Sequence, residues 1–194
     1  NGLRKRFRCT AYYDNQHLGV CLRAINEEVR PLDGLGFHPV IQKGVLFSNV
    51  RSGLALVTGV TGSGKTELAL GLARWIQKTG ARPGGVFYTT FHVGAGLERV
   101  VHEIGTAVAG LPFADLSAPN QRQWVVEYLR EQPSLIIWDA LQHAGGNTVE
   151  DNTGILDRAE LEELDAFLAD AIVGGRSWAL LVSRRPEEPW LATT

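Results

Sequence analysis

A chain of 194 residues is long enough for one domain with a sizeable core, or for such a domain with a small appendage. A hydrophobic content of 44% and a charged content of 21% exclude a disordered or fibrous chain. A net charge of −2 gives no electrostatic case for nucleic acid, and no apolar run reaches the length of a membrane span. The basic cluster Arg4, Lys5, Arg6 and Arg8 is short and reads as a solvated strand edge. Cys9 and Cys21, the only cysteines, make neither a disulfide framework nor a zinc site, so both are expected as reduced thiols in a cytoplasmic protein. The chain opens on Asn1, lacks methionine and shows no secretory leader, so it reads as a segment of a longer protein.

In chain order, Phe7 to Tyr13 and Val20 to Ile25 read as two short strands around the turn-rich Asp14-Asn15-Gln16-His17. Pro31 to Pro39 reads as a linker, and Val40 to Phe47 as a short helix. Residues 1–50 are therefore taken as an N-terminal appendage with its linker, and 51–194 as a core that is itself cut short. Leu54 to Thr58 is the first core strand, and Glu67 to Gln77 a helix with Leu68, Leu72, Trp75 and Ile76 at helical spacing. Val86 to Phe91, β-branched and aromatic, is the next strand. Gly94 and Gly96 precede a helix whose inward face is Val100, Val101, Ile104 and Val108. Leu111 to Pro119 reads as a loop, with Asn120 capping a helix that runs to about Glu131. Leu135 to Trp138 is a strand apolar on both faces, Gly145 to Gly154 a polar loop, Glu160 to Ile172 a helix and Trp178 to Val182 the last strand. Trp75, Trp124, Trp138 and Trp178, each within an expected element, are expected in the core.

Gly59-Val60-Thr61-Gly62-Ser63-Gly64-Lys65-Thr66 fits the phosphate-loop pattern G-x-x-x-x-G-K-[ST] between a strand and a helix. The glycines let the backbone curl and turn N–H groups toward a phosphate chain. Lys65 supplies a point charge for the β- and γ-phosphates, and the Thr66 hydroxyl is placed to ligate Mg²⁺. Glu67, in the first helical turn, completes the binding stretch, and the helix dipole there favours an anion.

Such a loop needs a carboxylate at the end of a neighbouring strand, and Asp139 follows four apolar residues. The next residue is Ala140, where many hydrolysing relatives carry an acid that orients the attacking water. His143, Glu150 and Asp151 are the substitutes within reach in sequence. Arg184 ends the last strand, where a guanidinium can read a γ-phosphate, or simply lie in a solvated basic turn. His38, His92 and His102 share no metal-ligand spacing.

From Gly53 onward the chain resembles the nucleotide-binding domain of the STAND signalling ATPases, through Gly59 to Thr66, Tyr128-Leu129-Arg130, Leu135-Ile136-Ile137-Trp138-Asp139, Leu181-Val182-Ser183-Arg184-Arg185 and Pro189-Trp190-Leu191. The resemblance implies that Arg184 is the sensor arginine and that its strand lies between the loop strand and the Asp139 strand. Ala140 departs from that family's Asp or Asn. The front third, through Arg6-Phe7-Arg8, Leu32-Asp33-Gly34-Leu35-Gly36 and Gly53 to Thr66, is similar to pilus-retraction and type II secretion ATPases.

The fold expected is α/β: a three-layer P-loop NTPase with a mostly parallel sheet and a small β-containing N-terminal appendage. The function expected is an ATP- and Mg²⁺-binding switch with weak hydrolysis, in which Lys65, Asp139 and Arg184 act on the phosphates and Thr66 and Asp139 hold the metal. The alternatives are a fragment of a hexameric secretion or pilus motor, and a binding module without turnover. Partners beyond the nucleotide would be proteins, or other copies of the chain, met through flanking segments.

Overall fold

The computed structural model of the protein describes residues 6–14, 17–25, 52–92, 95–144 and 156–184. The chain divides into two compact units, Asn1–Ser48 and Asn49–Thr194.

In the first unit, β1 (Arg6–Asp14) pairs antiparallel with β2 (His17–Ile25), Asp14 opposite His17. Strand alternation gathers Phe7, Cys9, Ala11 and Tyr13 with Leu18, Val20 and Leu22 on one apolar face. Cys9 lies opposite Leu22 and Cys21 opposite Thr10, so the two thiols point to opposite faces and cannot meet. Both expected strands are present and each is longer than its apolar run. The linker over Pro31 to Pro39 and the short helix over Val40 to Phe47 lie outside the described residues, as does the loop over Gly145 to Gly154.

The second unit alternates strands and helices: β3 (Gly53–Thr58), α1 (Lys65–Thr79), β4 (Gly85–Thr90), α2 (Leu97–Ala109), α3 (Ala118–Glu131), β5 (Ser134–Asp139), α4 (Arg158–Ile172) and β6 (Trp178–Ser183). The strands form one parallel sheet in the order β3-β6-β5-β4. β5 and β6 are central and buried at every position, which explains their unbroken apolar runs. β6 lies between the loop strand β3 and the Asp139 strand β5, the placement that the STAND resemblance implied.

Helices cover both faces of this sheet. On one face, Ile136 and Trp138 of β5 and Ala179 and Leu181 of β6 join Val100, Val101 and Ile104 of α2, Val125 and Leu129 of α3, and Leu164, Phe167 and Leu168 of α4. The alternate strand residues Leu135, Ile137, Leu180 and Val182 are buried outside that cluster, on the face where α1 packs across β4, β5 and β6.

Three local expectations are corrected. The fully buried residues of α1 are Ala69, Ala73 and Ile76: of the four expected apolar positions Ile76 is buried, Leu68 and Leu72 are half-buried and Trp75 is not in the core. Two alanines let the helix close on the sheet, and that rotation leaves Trp75 51% exposed. In α2, Val108 falls in the last turn, beyond the packed layer, and is exposed. The stretch 111–119 is not a plain loop: Leu111–Asp115 is a 3₁₀ turn, and α3 starts from Ser117, not Asn120. Pro119 sits in the first turn of α3, where a missing N–H breaks no helical bond. The Gln121 amide ties the two pieces by donating to the carbonyls of Phe113 and Leu116. α4 starts two residues before the expected Glu160, because Asp157 and Glu160 form a reciprocal capping box ahead of it.

Gly105 of α2 lies directly under the Phe113 ring, and an added Cβ would come within 2.1 Å of it. Phe113 is itself buried and packed edge-on against Trp124, so the ring has nowhere to go. Gly105→Ala is therefore expected to lower stability by about 1–2 kcal/mol, overpacking outweighing a helix-propensity gain of about 1 kcal/mol. Chemical denaturation checks this, and an unchanged or raised midpoint contradicts it.

Candidate functional site

Parallel pairing brings the carboxyl ends of all four strands to one edge, and the loop after β3 runs along it. Gly62 at φ 83° and Gly64 at φ 88° adopt left-handed backbone, and an added Cβ at either would meet nothing within 4 Å. The demand for glycine at these two positions is therefore conformational rather than spatial: a side chain would cost about 1–2 kcal/mol in backbone strain. The Ser63 N–H donates to the Val60 carbonyl at 3.2 Å, closing a turn inside the loop. Gly64 caps α1, whose first N–H groups have no intrahelical partner where the loop enters the helix.

Lys65 and Thr66 are the first two residues of α1, two positions earlier than the apolar spacing suggested. The Lys65 ammonium donates to the carbonyls of Gly59 at 2.5 Å and Val60 at 2.9 Å, and to Ser63 Oγ at 3.3 Å. All three donors thus stay on the loop, and the positive charge is held within it. Val60, Thr61 and Glu67 are exposed along the rim.

Asp139 is 2% exposed at the end of β5. A buried carboxylate must be hydrogen-bonded to remain charged, and donors reach it from three elements. The Ala140 N–H donates to Oδ1 at 2.8 Å, the Thr66 hydroxyl to Oδ2 at 2.9 Å and the Tyr88 hydroxyl to the same Oδ2 at 2.9 Å. Thr66 and Asp139, distant in sequence, are thereby brought together under the loop. Their oxygens are the hard donor set that suits Mg²⁺.

Tyr88 was not singled out in the sequence. The β4–β5 register pairs Thr90 with Asp139, which puts Tyr88 on the Asp139 face one step earlier. Alternation within β4 hinted at a face, but the register that identifies its partner is not written in β4 alone. Burial, then the hydrogen bond to Asp139 and its charge, push the Tyr88 phenol up to about 12. Ala140, at φ 61°, is the only non-glycine with positive φ among the described residues; it caps the 3₁₀ turn Leu141–His143. A strained step directly after Asp139 turns the chain out of the sheet.

Arg184 leaves β6 one residue beyond Ser183, which pairs with Thr58, so it stands level with Gly59 at the start of the loop. It is exposed, and its backbone N–H donates to Gln142 Oε1 at 3.2 Å. Gln142 was likewise not foreseen: it links the end of β6 to the turn after β5. Of the substitute bases, His143 lies in that turn with its ring 4.5 Å from that of His92, centroid to centroid. Glu150, Asp151, Arg185 and Pro189-Trp190-Leu191 lie outside the described residues. No helix among the described residues is long and apolar enough to cross a membrane.

A family model described as an AAA domain matches residues 26–188. The type IV pilus retraction ATPase PilT of Pseudomonas aeruginosa is 35% identical over 74 residues, which cover 38% of this chain and 21% of that protein. The chain thus spans about a fifth of that relative. Among solved structures, Cdc6p of Pyrobaculum aerophilum is 18% identical with a TM-score of 0.48, over 72% of this chain and 37% of that one. ORC2 of Aeropyrum pernix, in ADPNP–ADP complexes, is 20% identical with a TM-score of 0.44, over 75% of this chain and 37% of that one. ORC1 of the same organism, in complex with DNA, is 20% identical with a TM-score of 0.45, over 75% and 36%.

The raised Tyr88 value has a consequence in alkali. Folded Tyr88 holds its proton to higher pH than the unfolded chain, whose phenol loses it near 10.0. Its contribution to stability is therefore full below pH 10 and is lost as pH rises toward about 12. A titration followed by tyrosinate absorbance should show a late component near pH 12 that disappears in Tyr88→Phe. All tyrosines titrating together at the ordinary value would contradict the site geometry.

Proposed function

The chain belongs to the AAA-domain family of P-loop NTPases, and from that premise we propose that it binds ATP with Mg²⁺ and hydrolyses it slowly, as a nucleotide-operated switch. The observation that carries this reading is the 2.9 Å hydrogen bond from Thr66 Oγ1 to Asp139 Oδ2 beneath the Gly59–Thr66 loop. Loop glycines, helix N-terminus, lysine and strand-end carboxylate converge there as a polyphosphate requires.

Backbone amides of Gly62, Gly64, Lys65 and Thr66 wrap the β-phosphate, and the Lys65 ammonium exchanges its bonds to the loop carbonyls for phosphate oxygens. Thr66 and Asp139 are the residues that would hold Mg²⁺, which supplies charge to neutralise the phosphate oxygens. Arg184, level with the loop, reads the γ-phosphate. Slow turnover is supported by Ala140: its methyl stands beside Asp139 where many hydrolysing relatives carry an acid, and it cannot orient water. His143 is the candidate to take over that task. Presence or loss of the γ-phosphate then orders or releases neighbouring segments, as in the STAND class that the sequence resembles. Partners are proteins or further copies of the chain, met through flanking segments.

One observation favours a second reading: the 35% identity to a pilus retraction ATPase. In that case the chain is part of a hexameric motor. Gel filtration with ATP separates the two, since a stable hexamer supports the motor and a monomer the switch.

Lys65→Ala removes a charge-assisted contact worth about 1.5–3 kcal/mol, so ATP affinity should fall about tenfold to a hundredfold in isothermal titration. Unchanged affinity refutes the site. Asp139→Asn should abolish the Mg²⁺ dependence of steady-state phosphate release. A parent that binds ATP normally and releases no phosphate is a binding module without turnover.

A further inference from the structure

A carboxylate that serves a metal must hold one orientation while nearly excluded from water. An aspartate side chain turns about two bonds, and at Asp139 the Ala140 N–H and Thr66 partners come from its own strand end and from α1. Neither brings a constraint from the neighbouring strand. Tyr88 does. Parallel register sets Tyr88 opposite Ile137 and Thr90 opposite Asp139, so Tyr88 and Asp139 share the α1 face of the sheet. The tyrosine spans this diagonal and places its hydroxyl 2.9 Å from Oδ2, the oxygen that also accepts from Thr66. One oxygen is thus gripped from two elements, α1 and β4.

We propose that Tyr88 is a positioning residue for the metal-binding pair. Its hydroxyl fixes the Asp139 carboxylate so that Oδ2 stays turned to Thr66, presenting a formed oxygen site to the divalent cation that accompanies a nucleoside triphosphate. This rests on the reading of Thr66 and Asp139 given above. Phenylalanine at 88 keeps the ring and its packing and deletes only the donor. With 37% of the Tyr88 surface accessible, the fold does not hang on it. Asp139 then keeps two donors but gains rotational freedom, and outer hydrogen bonds of this kind set metal affinity by about 10–100-fold.

The test compares the parent with Tyr88→Phe, using a fluorescent ATP analogue in EDTA and the same complex titrated with Mn²⁺, read by paramagnetic resonance. Expected are metal-free affinities within about twofold of each other, and a Mn²⁺ half-saturation raised about tenfold in the variant. In an Asp139→Asn background the same change at Tyr88 should add nothing, because the tyrosine acts through that carboxylate. An unaltered Mn²⁺ half-saturation overturns the proposal. So does an equal loss with and without metal, or a full effect that persists in the Asp139→Asn background. A parent without metal-assisted nucleotide binding overturns the site reading itself, and the tyrosine's role with it.

Discussion

Parallel pairing of β3, β6 and β5 is the constraint on which the rest depends. It sends three strand ends to one edge, so that Gly59, Arg184 and Asp139 leave the sheet on the same side. An antiparallel neighbour would have taken one of them to the opposite edge, far from the loop. The central, fully buried strands β5 and β6 make this arrangement rigid, because each has helices over both faces. The candidate site therefore rests on strands buried on both faces, with Asp139 buried and Val60, Thr61 and Glu67 on an exposed rim.

Within that frame, the decisive balance lies at Asp139. Burying a carboxylate is costly, and the cost is met only when donors surround it. Here they come from its own strand end, from α1 and from β4. The same interactions that keep the charge stable inside the fold also aim it at Thr66. In the proposed reading, stability and function are served by one set of bonds, and the left-handed Ala140 is the local strain that accompanies them.

Much of this was legible in the sequence. The loop motif, its strand and its helix followed from Gly59 to Thr66, and the runs Leu135–Trp138 and Trp178–Val182 announced buried central strands. What failed had physical causes. Large apolar residues at helical spacing look like a core stripe, which puts Trp75 inside by pattern, but Ala69 and Ala73 set the approach of α1. Pro119 reads as a loop residue and so points to Asn120 as the cap, yet proline fits a first helical turn and Ser117 is the cap. Tyr88 and Gln142 stayed hidden because their partners are fixed by strand register and by a short turn, and neither leaves a local pattern.

The central claim is that the main-chain amides after β3 wrap a polyphosphate. Amide chemical shifts, followed by nuclear magnetic resonance while a non-hydrolysable ATP analogue and Mg²⁺ are titrated in, test it most directly. The account predicts that the largest shifts cluster at Gly62, Gly64, Lys65 and Thr66, with a smaller response at Asp139 and Ala140. Saturating analogue that leaves those amides unmoved, or shifts confined to another face of the sheet, would contradict it.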